Sequence, residues 1–158
     1  MTLKSSLQLV ASILICEFVG IAGSLFTFSS VNNWYTTLAT PALNPPGWVF
    51  GPVWTLLYAL MGIAVFLIWQ KRTKRTSHNR ALAVFAAQLV LNGIWTPIFF
   101  GAHNLGLAFI DIVLLLLAIV WPIVEFYKIS RPAAYLLLPY AAWVSFATYL
   151  NLALWLLN

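Results

Sequence analysis

The sequence predicts an all-α membrane protein, a single domain built as a bundle of five transmembrane helices, and three observations carry that prediction. Of 158 residues, 63% are hydrophobic and only 7% charged, whereas a soluble domain carries about 25% charged residues. Five continuous apolar stretches reach the roughly 20 residues that a helix needs to cross the hydrocarbon. When the chain is threaded through a membrane on those five stretches, all eight Lys and Arg fall on one side. The composition excludes a soluble globular chain and also a disordered one, which needs low hydrophobicity and high charge. The net charge of +5 then has its explanation in topology, and no nucleic-acid partner is expected.

The first stretch, 5–27, follows Lys4 and resembles a signal peptide, with a small-residue region from Ile21 to Ser24. Its length favours retention as a spanning helix. Ser12, Cys16, Gly20 and Ser24 recur every fourth residue and predict a close-packing face. Glu17, beside that face, reads as a protonated or hydrogen-bonded packing residue. Cys16 is the single cysteine, so it forms no internal disulfide.

The loop over 28–45 is uncharged and holds Trp34, Tyr35, Pro41 and Pro45, with Pro46, Gly47 and Trp48 just after it. A connector between antiparallel helices needs only a few residues. This one reads either as a lid over a site or as an interfacial loop whose aromatics sit at headgroup level.

The second helix, 46–69, places Trp54 and Tyr58 one turn apart. The third, 80–101, follows the basic segment Lys71, Arg72, Lys74, Arg75 and Arg80, and aligns Gln88, Asn92, Trp95 and Phe99 on one stripe. Ala83 and Ala87 form a small-residue pair suited to a dimer contact. The fourth helix, 105–126, contains Asp111, and its unbroken Leu114–Leu117 block excludes an alternating membrane strand. The fifth, 133–156, follows Lys128 and Arg131 and aligns Trp143, Ala147 and Asn151. The last two connections are short enough to force antiparallel neighbours in one bundle, with no room for a second domain.

Short loops rich in Lys and Arg stay cytoplasmic. The N-terminal side, here side A, is therefore expected to be cytoplasmic and the C-terminus to lie outside, on side B, in a bacterial cell membrane. At 1.5 Å per residue, Trp54 lies about 12 Å below the side B surface, Asn92 and Trp95 about 14 and 9 Å, Asp111 about 9 Å, and Ala147 and Asn151 about 14 and 8 Å. Trp143 is near the midplane.

Polar side chains at such depths must face inward or pair across helices. Helix-to-helix hydrogen bonding accounts for any one of them. Their conjunction, amides and aromatics together in one leaflet beneath an aromatic loop, matches a small-molecule pocket. Asp111 serves either a ligand or helix pairing. Trp48, Trp69, Trp121 and Trp155 lie near helix ends and read as interfacial belt residues.

Three blocks then carry a resemblance. They are Trp34-Tyr35-x-x-Leu38-x-x-Pro41-x-x-x-Pro45-Pro46-x-x-Val49-Phe50-x-Pro52-Val53-Trp54-x-x-Leu57-Tyr58, Asn92-x-x-Trp95-x-Pro97-x-Phe99-Phe100, and Pro139-Tyr140-x-x-Trp143-x-x-x-Ala147-Thr148-x-Leu150-Asn151. With the five-helix plan they resemble, over nearly the whole chain, the TspO/MBR family of tryptophan-rich sensory proteins, which includes the mitochondrial translocator protein.

The resemblance implies a bundle, often dimeric, that binds porphyrins and other hydrophobic ligands under the first loop. By it, Trp34 and Tyr35 match the lid, Trp54 and Tyr58 the second-helix wall, Asn92 and Trp95 the third, and Trp143 and Ala147 the fifth; Asp111 matches a position acidic in only some members. Trp54 and Trp143 match the tryptophans proposed for light-dependent porphyrin breakdown in the family, so a photoactive enzyme stands as the alternative to a binding, sensory or transport protein.

The cholesterol motif of animal members needs a basic residue after a Tyr, and none follows Tyr149; cholesterol binding is not carried across. No triad, metal cluster or phosphate loop supports conventional enzymology. No His or Met lies on the pocket stripes, His78 and His103 being in loops, so no metal site or axial ligand is expected. A free-base porphyrin such as protoporphyrin, held as a ligand rather than as a required cofactor, fits better than ligated haem. With no Lys or Arg on side B, it would be held by ring stacking and neutral hydrogen bonds.

Overall fold

The computed structural model describes residues 3–71 and 75–158, the side chains of 75 and 76 excepted. Arg72 and Lys74 of the basic segment lie outside the described residues.

Helix α1 spans Leu3–Val31, α2 Phe50–Gln70, α3 Arg75–Thr96, α4 Leu105–Ile129, α5 Arg131–Leu136 and α6 Leu138–Leu157. Five segments are long and apolar enough to cross a membrane, the fifth being α5 and α6 together, Arg131–Leu157. No strand occurs among the described residues. The protein is an all-α, multi-pass membrane protein.

Several boundaries differ from the sequence expectation: α2 begins at Phe50 rather than 46, α3 at Arg75 rather than 80, α4 ends at Ile129 rather than 126, and three further departures, two of them made by proline, bear on the site. α1 runs to Val31, which shortens the first loop from its N-terminal side. The fifth span is broken at Leu137, because Pro139 has no N–H and its ring crowds the carbonyl four residues back. Leu137 N instead turns to Ala134 O at 3.1 Å, and Ala141 N resumes the ladder on Leu137 O at 3.0 Å. Pro97 likewise ends the regular part of α3. The chain widens into a π-turn over Pro97–Gly101, closed by Ala102 N on Pro97 O at 2.8 Å. Asn104 then caps α4, its side chain accepting from Leu107 N at 2.9 Å.

Around the bundle α1 packs on α2 and α3, and α4 packs on α3, α5 and α6. α2 leans on α1 and α5 and touches α6 only lightly, so side chains rather than close backbones fill the seam between α2 and α6. Met61, Ala64 and Ile68 of α2 meet Leu115, Ile119 and Phe126 of α4 and Val144 of α6 in the core.

Close approach of α1 is secured by glycines. A Cβ on Gly62 would lie 2.5 Å from Ile13 Cα, and one on Gly20 would collide with the Tyr58 ring. The inward stripe of α1 is Ser12, Cys16, Gly20 and Gly23, the last against Thr96, while Ser24 is exposed. Steps of four residues overshoot a 3.6-residue turn; after three such steps the stripe has rotated off the packing face, and Gly23 takes the expected place of Ser24. Glu17 stays half-buried beside it. Opposite, Leu7, Leu14, Phe18, Ile21 and Leu25 are exposed, as a lipid-facing surface requires.

At the side A end, buried Glu125 of α4 accepts from Arg80 Nη2 of α3 and, at 2.8 Å, from Lys128 Nζ. One carboxylate thus ties two helices through two cations.

Candidate functional site

The amide stripe of α3 enters a hydrogen-bonded layer across the bundle. Tyr58 OH donates to Asn92 Oδ1 at 2.5 Å, Asn92 Nδ2 donates to Tyr140 OH at 3.0 Å, and Tyr140 OH donates to Gln88 Oε1 at 2.8 Å. α2, α3 and α6 are thereby joined through groups that are all buried. Asn92 is engaged at both ends of its amide, leaving Gln88 Nε2 as the free donor of the layer.

Toward side B a second bridge follows. Trp95 Nε1 donates to Asn151 Oδ1 at 3.0 Å, and Asn151 Nδ2 donates to Leu105 O at 2.9 Å. This fastens α3, α6 and the start of α4, and it keeps the Trp95 indole stacked on Phe99, with centroids 4.7 Å apart.

Trp54, Trp143 and Ala147 lie along the seam between α2 and α6. Trp143 meets Phe50 edge to face at 6.0 Å and Phe146 at 5.8 Å, while Trp54 stacks on Tyr58 at 5.5 Å and meets Tyr140 edge to face at 6.4 Å. The antiparallel register puts Trp54 and Trp143 on facing walls of one aromatic seam, with Ala147 half-buried a turn above Trp143. Among the described residues, Trp143 Nε1, Gln88 Nε2 and Asp111 Oδ2 are buried without a hydrogen-bond partner. A buried polar group in that state costs about 1–3 kcal/mol. For Asp111, 7% exposed on α4, Oδ2 makes no helix-pairing bond.

Trp34, Tyr35 and Leu38 of the first loop pack on a cluster formed by Phe99, Ala108 and Leu154, at the side B ends of α3, α4 and α6. Tyr35 OH donates to Asn44 Oδ1 at 3.1 Å, folding the two halves of the loop together, with Pro45 half-buried behind. Burial raises the Tyr35 hydroxyl above its ordinary value and the Asn44 bond opposes that rise. The phenol therefore stays a neutral donor.

Two anchors of this loop had no sequence signal. His103, in the left-handed region with φ of 52°, stacks on Trp34 at 4.2 Å and 12°. Ser30 Oγ uses its proton on Phe100 O at 2.6 Å, so the 3.0 Å contact with His103 is donated by the imidazole Nε2. Asn158 holds Ala39 at both backbone groups, accepting from its N at 2.9 Å and donating to its O at 3.0 Å. Tyr140, quoted above only as part of a motif, is the hub of the amide layer. A tyrosine three residues before an inward tryptophan was the available signal.

Sequence comparison bears on this arrangement directly. The family model described as TspO/MBR family matches residues 12–156. The chain belongs to the TspO/MBR family. Among its TspO/MBR relatives, the "Tryptophan-rich protein TspO" of Archaeoglobus fulgidus is 45% identical over 152 residues, covering 96% of this chain and 97% of the relative. The protein of the same name from Chlorobaculum tepidum is 43% identical, covering 98% of each chain. The human "Translocator protein" is 41% identical over 134 residues, 84% of this chain and 79% of the relative. The matched region includes every residue of the amide layer, the aromatic seam and the first loop.

Proposed function

We propose that this TspO/MBR family protein binds a flat hydrophobic ligand, a porphyrin or related tetrapyrrole, against the aromatic seam between α2 and α6 and beneath the first loop. The observation that carries the reading is that Trp54 and Trp143 line opposite walls of the seam, each against a ring of the other helix, while the buried Trp143 Nε1 has no acceptor. Aromatic faces suit an extended π-system. The free indole N–H, with Gln88 Nε2, suits carboxylate or carbonyl substituents.

Recognition divides between two sets of residues. Asn92, Asn151, Trp95 and Tyr58 hold the helices in register through bonds to one another, and so act by positioning. Trp54, Trp143 and Ala147 offer the contact surface, and Trp34 and Tyr35 pack at the side B ends of α3, α4 and α6. The protein serves ligand sensing, regulation or transport in a bacterial cell membrane, with side A cytoplasmic. The exposed Ala83 and Ala87 of α3 suit a homodimer.

Titrating purified protein with protoporphyrin and following its Soret band tests this reading. A saturable shift that a non-planar hydrophobe of similar size fails to compete away is the expected result. A shift no larger than that of empty detergent micelles would refute it.

A second reading rests on the two indoles bordering the same seam: light-dependent oxidation of the bound porphyrin by dioxygen. Aerobic illumination should then yield a discrete product that disappears in Trp54→Phe and Trp143→Phe.

A further inference from the structure

We propose that the side A ends of α1 and α2 form a binding site for one anionic phospholipid, separate from the seam between α2 and α6. A lipid-facing groove of about 630 Å³ lies there, lined by Leu3, Lys4, Leu7, Gln8 and Ala11 of α1 and Trp69 of α2. The five α1 residues recur at helical spacing and so present one continuous strip. Its deep part is apolar, from Leu7 and Ala11, and its mouth is polar, from Lys4 and Gln8.

The two helices are stitched at that mouth, where Gln70 Nε2 donates to Gln8 Oε1 at 2.9 Å in an exposed bond. The bond brings α2's end, followed directly by the exposed Lys71, beside the Lys4 turn of α1. The groove is thus shaped for an acyl chain along Leu7 and Ala11, a Trp69 indole at the hydrocarbon boundary, and a phosphate at the Lys4 ammonium, with Lys71 following α2 at the same end.

Charge decides the class of headgroup. The three acids of the chain are Glu17, Asp111 and Glu125. Glu17 lies more than two turns deeper along α1 than Gln8. Asp111 and Glu125 are on α4, which packs on α3, α5 and α6, and Glu125 is engaged by Arg80 and Lys128. No carboxylate lines the groove to neutralise Lys4. A phosphatidylglycerol-type headgroup therefore gains at Lys4 and Lys71 what a zwitterionic one, carrying its own ammonium, does not. Each basic side chain near an anionic surface contributes about a fivefold preference.

The test uses the full chain in phosphatidylcholine vesicles doped with brominated phosphatidylglycerol or, separately, with brominated phosphatidylcholine at the same fraction. Bromine quenches only tryptophans that it touches. Wild type should be quenched at least twofold more by the anionic lipid, with the excess shrinking as salt is raised. Trp69→Phe should remove the excess by removing the reporter, and Lys4→Gln should remove it by removing the charge.

Arg131→Gln, which deletes a cation seated over the Tyr127 ring outside the groove, should keep it. Equal quenching by the two lipids in wild type, or an excess that survives Lys4→Gln, would overturn the proposal. Lys4 is exposed, so the variant is expected to fold, and an unchanged protoporphyrin titration checks that it has.

Discussion

The amide layer and the aromatic seam lie about one turn apart along α2 and α6, Tyr58 beside Trp54 and Tyr140 beside Trp143, yet they differ in what they leave unsatisfied. In the layer, Tyr58, Asn92, Tyr140 and Gln88 bond to one another from three helices, and only the Gln88 amide nitrogen is without a partner. In the seam, Trp143 meets Phe50 at 6.0 Å and Phe146 at 5.8 Å, Trp54 meets Tyr140 at 6.4 Å, and the buried Trp143 Nε1 has no acceptor. Polar residues deep in a membrane bundle are therefore not equivalent markers of a ligand site. Those that saturate each other hold the helices, and those beside them with unmet hydrogen bonds are positioned for something else.

This contrast can be broken from either side, and the largest effect belongs to the layer. Asn92→Leu removes the acceptor of the buried Tyr58 hydroxyl and the donor to the buried Tyr140 hydroxyl, which keeps its bond to Gln88. It should cost about 2–4 kcal/mol, two buried groups at 1–3 kcal/mol each less some relaxation, read as a lower thermal midpoint in detergent. Gly62→Ala comes next. Its new methyl meets the Ile13 backbone rather than a movable side chain, so α1 must shift from α2 at about 1–3 kcal/mol, visible in the same melt.

Variants of the seam should show the reverse pattern. Trp143→Phe is expected to leave the melt within a few tenths of a kcal/mol and to weaken porphyrin about three- to tenfold, the size of one lost hydrogen bond with an aromatic ring still in place.

The smallest effects belong to the first loop. Asn158→Ala frees both backbone groups of Ala39 and should speed hydrogen exchange at its amide about tenfold, with the helices unchanged. Tyr35 provides a pH test of the same loop. Its folded value is raised above the unfolded one, so its contribution is complete below the ordinary tyrosine value of about 10 and is lost as pH rises through the folded value. Loop exchange, corrected for intrinsic rates, should be flat through neutrality.

The five spans were legible because an apolar run of helical length has one solution in a bilayer, and the basic residues counted them independently. The break at Leu137 was hidden by a leucine-rich run that reads as continuous until Pro139 is weighed as a missing donor. The inward faces of α3 and α6 were legible from spacing, Gln88, Asn92 and Trp95 on one and Trp143, Ala147 and Asn151 on the other. Which of these saturate each other was not, because a bond such as Trp95 to Asn151 depends on the register of two helices 56 residues apart. The anchors at His103 and Asn158 depend on loop paths that periodicity does not describe.

The central claim is that the aromatic seam, and not the amide layer, is the contact surface for ligand. Protoporphyrin affinity, read from the Soret band, of Trp54→Phe and Trp143→Phe beside Gln88→Leu, each normalised to folded protein, tests it most directly. Binding should weaken in both tryptophan variants and change less in Gln88→Leu, which loses the free Nε2 and the acceptor of Tyr140 but no aromatic surface. Unchanged affinity in both tryptophan variants would contradict it.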